Sequence, residues 1–77
     1  MREELLMFAR WDADRKRWFI DVRDASLWPL PSESVPVCRI DREDRGLMME
    51  QALKLAQAGA HPAMIRRALE GRDHGSR

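Results

Sequence analysis

Two runs rich in aromatic and β-branched residues, Leu5-Leu6-Met7-Phe8-Ala9-Arg10-Trp11 and Arg17-Trp18-Phe19-Ile20-Asp21-Val22-Arg23, flank the polar segment Asp12-Ala13-Asp14-Arg15-Lys16. Such a pair reads as an antiparallel β-hairpin. A strand's period of two then assigns every side chain to a face as soon as the register is chosen. With Trp11 opposite Trp18, Ala9 faces Ile20 and Met7 faces Val22. Leu5, Met7, Ala9, Trp11, Trp18, Ile20 and Val22 therefore share one face, the expected core. The other face carries Leu6, Phe8, Arg10, Phe19, Asp21 and Arg23, and its three large apolar groups suit water badly. Either another part of the chain covers it or a partner does.

Pro29, Pro31 and Pro36 break regular structure between Asp24 and Val37, since proline fixes φ and removes a ladder donor. This stretch reads as a loop, with Trp28 expected to fold back onto the core. A short third strand over residues 37–40 is expected at a sheet edge, confined there by Pro36. Asp41 has the chemistry of an N-cap, and Asp44 places a second carboxylate where the helix dipole favours it. Leu47, Met48, Met49, Ala52, Leu53, Leu55 and Ala56 recur at spacings of three and four, predicting a helix over residues 42–58 that ends at Gly59. Pro62 suits the first position of a second helix with Ile65, Ala68 and Leu69 turned inward, Met64 at the margin and Gly71 as its stop. The expected fold is α+β: an N-terminal antiparallel hairpin with a possible third edge strand, packed on a C-terminal two-helix hairpin. It forms one domain over residues 1–71, with a flexible tail over 72–77.

Chemistry is sparsely represented. Metal binding needs three or four ligands at restrained spacing, and Cys38, His61 and His74 are scattered along the chain. Nucleophilic catalysis needs an activated Cys or Ser with a base and an orienting group, and no such set is legible. No glycine-rich loop precedes a helix to cradle phosphate. The reading is a chain without catalytic residues, cofactor or metal. Fourteen basic side chains against thirteen acidic ones leave a net charge of +1, too weak a field to gather a polyanion from a distance. No apolar run reaches the length of a membrane span or a signal peptide. A lone cysteine makes no internal disulfide. The expectation is a soluble, cytoplasmic protein with no membrane partner.

Two functional readings follow. The first is a small regulatory or accessory protein that occupies a surface of a larger protein, as adaptor or inhibitor, acting as a monomer or homodimer. Its contact residues would be Leu6, Phe8, Arg10, Phe19, Asp21 and Arg23, an aromatic and arginine mixture of the kind enriched at interfaces. Phage and mobile-element proteins that block host machinery, anti-CRISPR proteins among them, share this size and lack of motifs. The second reading rests on residues 52–71, where Gly59 sits at the turn and Ile65-Arg66-Arg67-Ala68-Leu69 follows in the second helix. This stretch resembles the first two helices of a helix-turn-helix domain. The resemblance implies a dimeric DNA-binding regulator whose recognition helix would begin after Gly71. Arg66 and Arg67, with Arg15, Lys16 and Arg17 at the hairpin tip, are the residues that would touch phosphate.

Overall fold

The computed structural model describes the backbone of residues 4–27 and 29–75 and, of these, the side chains up to residue 71. Strands β1 (Glu4–Asp12) and β2 (Arg17–Asp24) form the hairpin in the expected register, with Trp11 opposite Trp18, Ala9 opposite Ile20 and Met7 opposite Val22. The turn is built by Asp12, whose Oδ1 accepts the N–H groups of Asp14 at 3.1 Å and Arg15 at 3.3 Å. Asx geometry of this kind substitutes for a backbone turn. Lys16 completes the reversal in the left-handed region, at φ 54°. Arg17 faces Asp12 in the register, and the Asp12 carboxylate has an ion-pair contact with Arg15, at 4.0 Å.

Strand β3 (Val35–Asp41) is longer than the expected 37–40 and pairs antiparallel with β1, so the sheet order is β2-β1-β3. Pro36 lies within β3, tolerated because β3 is an edge strand. The register shifts between Met7 and Phe8, which face Cys38 and Pro36 respectively. Val37 is the extra residue of this bulge and is turned into the core.

The helical half begins differently from the expected 42–58 helix. Arg42–Asp44 form a 3₁₀ turn, and α1 occupies Arg45–Gln57. Neither the Asp41 nor the Asp44 carboxylate accepts a capping hydrogen bond from the helix N–H groups. Helix α1 ends as the glycine predicts: Gly59, at φ 94°, donates to Ala56 O at 3.0 Å, and Ala60 N–H reaches Leu55 O at 3.0 Å. These two bonds satisfy orphan carbonyls in the Schellman pattern. Helix α2 spans Pro62–Gly75, passing through Gly71, which is therefore not its stop. Of the residues expected on the apolar stripes, Met48, Ala52, Ala56, Ile65 and Leu69 are buried, whereas Leu47, Leu53 and Ala68 are exposed.

Helix α1 lies against β2 and α2 against β3, so both cover one face of the sheet. Leu5, Met7, Ala9, Ile20, Val37 and Ile40 meet the buried helix residues there, with Trp18 and Val22 half-buried at its margin. Trp28, expected to join this core, lies outside the described residues.

The second face holds the larger departure. Leu6 and Phe8, only 5% and 4% exposed, are sealed although they stand outside the cluster that the helices pack against. The strand order explains the cover. Since β1 separates β2 from β3, the connection over residues 25–34 has to pass from one side of β1 to the other, and the helices already occupy the first face. Asp24 faces Leu5 and Val35 faces Ala9, so the crossing covers two strand spacings and four residues of rise, about 16 Å on the diagonal. Ten residues can reach about 33 Å, enough to arch over the side chains. Arg23, on the face of Leu6, donates from Nη1 to Pro29 O at 3.3 Å, and Leu30 and Pro31 are half-buried. The proline-rich connection is thus the lid of a second small apolar layer.

Candidate interaction site

β3 begins opposite Ala9, so the hairpin beyond it, residues 10–19, is a two-stranded arm. The arm carries Trp11, Trp18 and Phe19 together with Arg10, Arg15, Lys16 and Arg17, against Asp12 and Asp14. Trp11, expected in the core, is 53% exposed instead. It lies past the end of β3, where the sheet is too narrow for the helices to cover it. Its ring meets Trp18 edge-to-face, with centroids 5.3 Å apart and planes at 69°. Trp18 in turn meets the ring of His61 at 5.6 Å and 74°.

His61 has a defined structural role. Its carbonyl accepts the N–H groups of Met64 and Ile65, and its Nδ1 accepts that of Ala63 at 3.1 Å. It is the N-cap of α2, with Pro62 buried at the first helical position. An accepting Nδ1 places the ring proton on Nε2 in the neutral imidazole. The result is a row, Trp11–Trp18–His61, braced at one end by the start of a helix. Met64, 61% exposed, stands one turn into that helix. Alternation places Trp11 opposite Trp18 on one face, as the register shows, but gives no sign of His61, which reaches Trp18 only because α2 begins there.

The predicted contact residues divide. Leu6 and Phe8 are buried within the chain and offer no surface. Arg10, Phe19 and Asp21 are exposed, Phe19 at 53%. Arg23 is half-buried and held by Pro29. The basic residues do not converge on one patch. Arg15 leans on Asp12 at the arm's tip, while Arg66 sits beside β3 with its Nε donating to Glu70 Oε2 at 3.0 Å. Arg67 is exposed on the same helix. Because α2 runs through Gly71, the residues where the helix-turn-helix resemblance would start a recognition helix are occupied by α2 itself.

Among the described residues, no group of three or more His, Cys, Asp and Glu side chains is placed to hold a metal ion, and no helix is long and apolar enough to cross a membrane. Cys38 is half-buried on β3. Compared with protein-family models, with curated proteins and with solved structures, the chain matches none.

Proposed function

We propose that this is a non-catalytic accessory protein that docks the aromatic end of its hairpin arm onto a larger protein, as an adaptor or inhibitor. The observation that carries the reading is the half-exposed Trp11, held edge-on by a Trp18 that His61 braces. A tryptophan fixed before binding loses little rotamer freedom on docking, and fixed aromatic anchors supply much of the energy of protein interfaces. Arg10 and Met64 add a charged and an adaptable group to the same end of the chain.

The geometry favours duplex DNA less. Arg15 and Arg66 are partly neutralised by Asp12 and Glu70, and the basic residues lie on separate elements. The test is quantitative capture from the native host with wild type and Trp11→Ala, followed by titration of the purified captured protein. Trp11→Ala removes one edge-to-face pair and about half a ring's burial, so it should cost about 3 kcal/mol of stability while cutting retention at least tenfold. Undiminished retention by a folded Trp11→Ala variant would exclude the row as the contact. Tight binding of duplex DNA that collapses between low and moderate salt would replace this reading with the nucleic-acid one.

A further inference from the structure

We infer that the outer edge of β2 pairs with the same edge of a second copy of this chain, joining the two three-stranded sheets into one across a two-fold axis at Phe19. The inference is independent of the docking reading, which concerns the aromatic row and a different protein.

The hydrogen-bond pattern shows which groups are available. Ala25 N–H bonds Glu4 O at 3.1 Å, which fixes the alternation of the β1–β2 ladder. Arg17, Phe19, Asp21 and Arg23 are then the residues bonded to β1. Trp18, Ile20 and Val22 direct their N–H and C=O groups away from it. Among the described residues β2 has no second neighbour in the sheet and, unlike β3, carries neither proline nor bulge along this edge. An edge of this kind invites strand addition. Val22 N–H is already taken by the carboxylate of Asp21, at 2.8 Å, so the pairable stretch is centred on residues 18–20.

The sequence of that stretch is self-complementary in one register. With the axis at Phe19, Trp18 of each copy exchanges backbone bonds with Ile20 of the other. The two Phe19 rings meet on the second face as a close, non-hydrogen-bonded pair. Arg17 of each copy lies opposite Asp21 of the other, on that same face. The carboxylate of Asp21 is already at the rim, since it reaches the outward N–H of Val22. Moving the axis to Ile20 sets Arg17 against Arg17's own like, the second copy's Arg23, twice over. Moving it to Asp21 sets two carboxylates against each other. Like charges directly opposite are destabilising, so of these three registers the Phe19-centred one alone joins attraction, free backbone groups and apolar contact. It also accounts for a phenylalanine that a lone chain leaves 53% exposed. Helix α1, seated over β2, comes beside its symmetry mate at the seam.

The test uses the full chain. Sedimentation equilibrium of the wild type should show a concentration-dependent dimer. Arg17→Asp and Asp21→Arg should each raise the dimer dissociation constant at least tenfold, and the double reversal should restore it to within about threefold, because both ion pairs are re-formed with inverted sign. Residues opposite in a non-hydrogen-bonded pair have Cα atoms about 4.5 Å apart, a separation a disulfide can bridge. Phe19→Cys in a Cys38→Ser background should therefore cross-link to a covalent dimer under mild oxidation. Arg10→Cys in the same background lies one strand further from the axis and should not. A strictly monomeric wild type, a dimer indifferent to the single reversals, no recovery in the double variant, or cross-linking no faster at 19 than at 10 each overturns the inference. Thermal melts of every variant confirm that the substitutions, all at exposed or half-buried positions, leave the fold intact.

Discussion

Replacing Phe8 by alanine tests whether the proline-rich crossover is a lid or merely a tether. Phe8 is 4% exposed and belongs to the face opposite the helices, so its burial depends on residues 25–34. Deleting a buried phenylalanine ring typically costs about 3–5 kcal/mol, the spread reflecting how far the site collapses. A loop can settle into the vacated space more readily than a helix, which places this site near about 3 kcal/mol. A chain of 77 residues has a total stability of about 4–12 kcal/mol, so the loss is a large fraction of the whole. At about 4–8 °C per kcal/mol for a domain of this size, the melting temperature should fall by about 12–24 °C. The matched control is Phe19→Ala on the same face, where half the ring is already in water and the cost should stay under about 1 kcal/mol. Urea and thermal unfolding followed by circular dichroism, at concentrations low enough to keep the chain monomeric, measure both. If Phe8→Ala unfolds within about 1 kcal/mol of wild type, or Phe19→Ala is the costlier of the two, the crossover does not seal this face and the account of the second layer is wrong.

Two further outcomes follow from local geometry. Lys16 sits at φ 54°, where a side chain strains the backbone by about 1–2 kcal/mol; after the entropy that glycine adds to the unfolded chain, Lys16→Gly should gain about 0.5 kcal/mol and raise the melting temperature slightly, whereas Lys16→Val should lower it. Asp24 accepts hydrogen bonds from the N–H of Ser26 at 2.9 Å and from its Oγ at 2.7 Å, and these, the backbone bond first, hold the carboxyl below the usual carboxylate range. The unfolded chain therefore takes up this proton more readily than the folded one. The contribution is present above the unfolded value and lost as pH falls through the folded one; an NMR titration of the Asp24 carboxyl should show the depressed midpoint, moving partway back up in Ser26→Ala.

Much of this architecture is legible in the residues. The hairpin register follows from two runs of matched period, and the Gly59 stop follows from the one glycine at the end of an apolar stripe. The strand at β3 was visible in Val37 and Ile40, but its neighbour was not. A period of two says which face a side chain takes and is silent on which strand lies beside it. Had β3 paired with β2 as a simple meander, Leu6 and Phe8 would have stayed open and Trp11 would still have lain past the end of the third strand. Instead β3 pairs with β1, the crossover is forced across the second face, and two of the three apolar residues that read as a partner surface become core. The helix start at Asp41 misled for a related reason: a carboxylate at the right spacing has the chemistry of a cap, yet the 3₁₀ turn that follows β3 leaves the side chain without the N–H geometry it would bond.

The crossover also explains why the exposed apolar groups collect where they do. A small domain buries a limited share of its surface, and this one uses its sheet on both sides, helices over one face and the proline-rich connection over the other. Both covers end where β3 ends. Past the start of β3 only Trp18, against His61, keeps contact with the helical half, so Trp11 and Phe19 are left exposed on opposite faces of a ribbon whose outer backbone has no strand partner among the described residues. Of the arm, only Trp18 packs against the core, and no residue of the turn at 12–16 belongs to it. The chain keeps the arm, and the arm holds Trp11 in a fixed pose against Trp18 and His61, which is a geometry suited to contact with another surface.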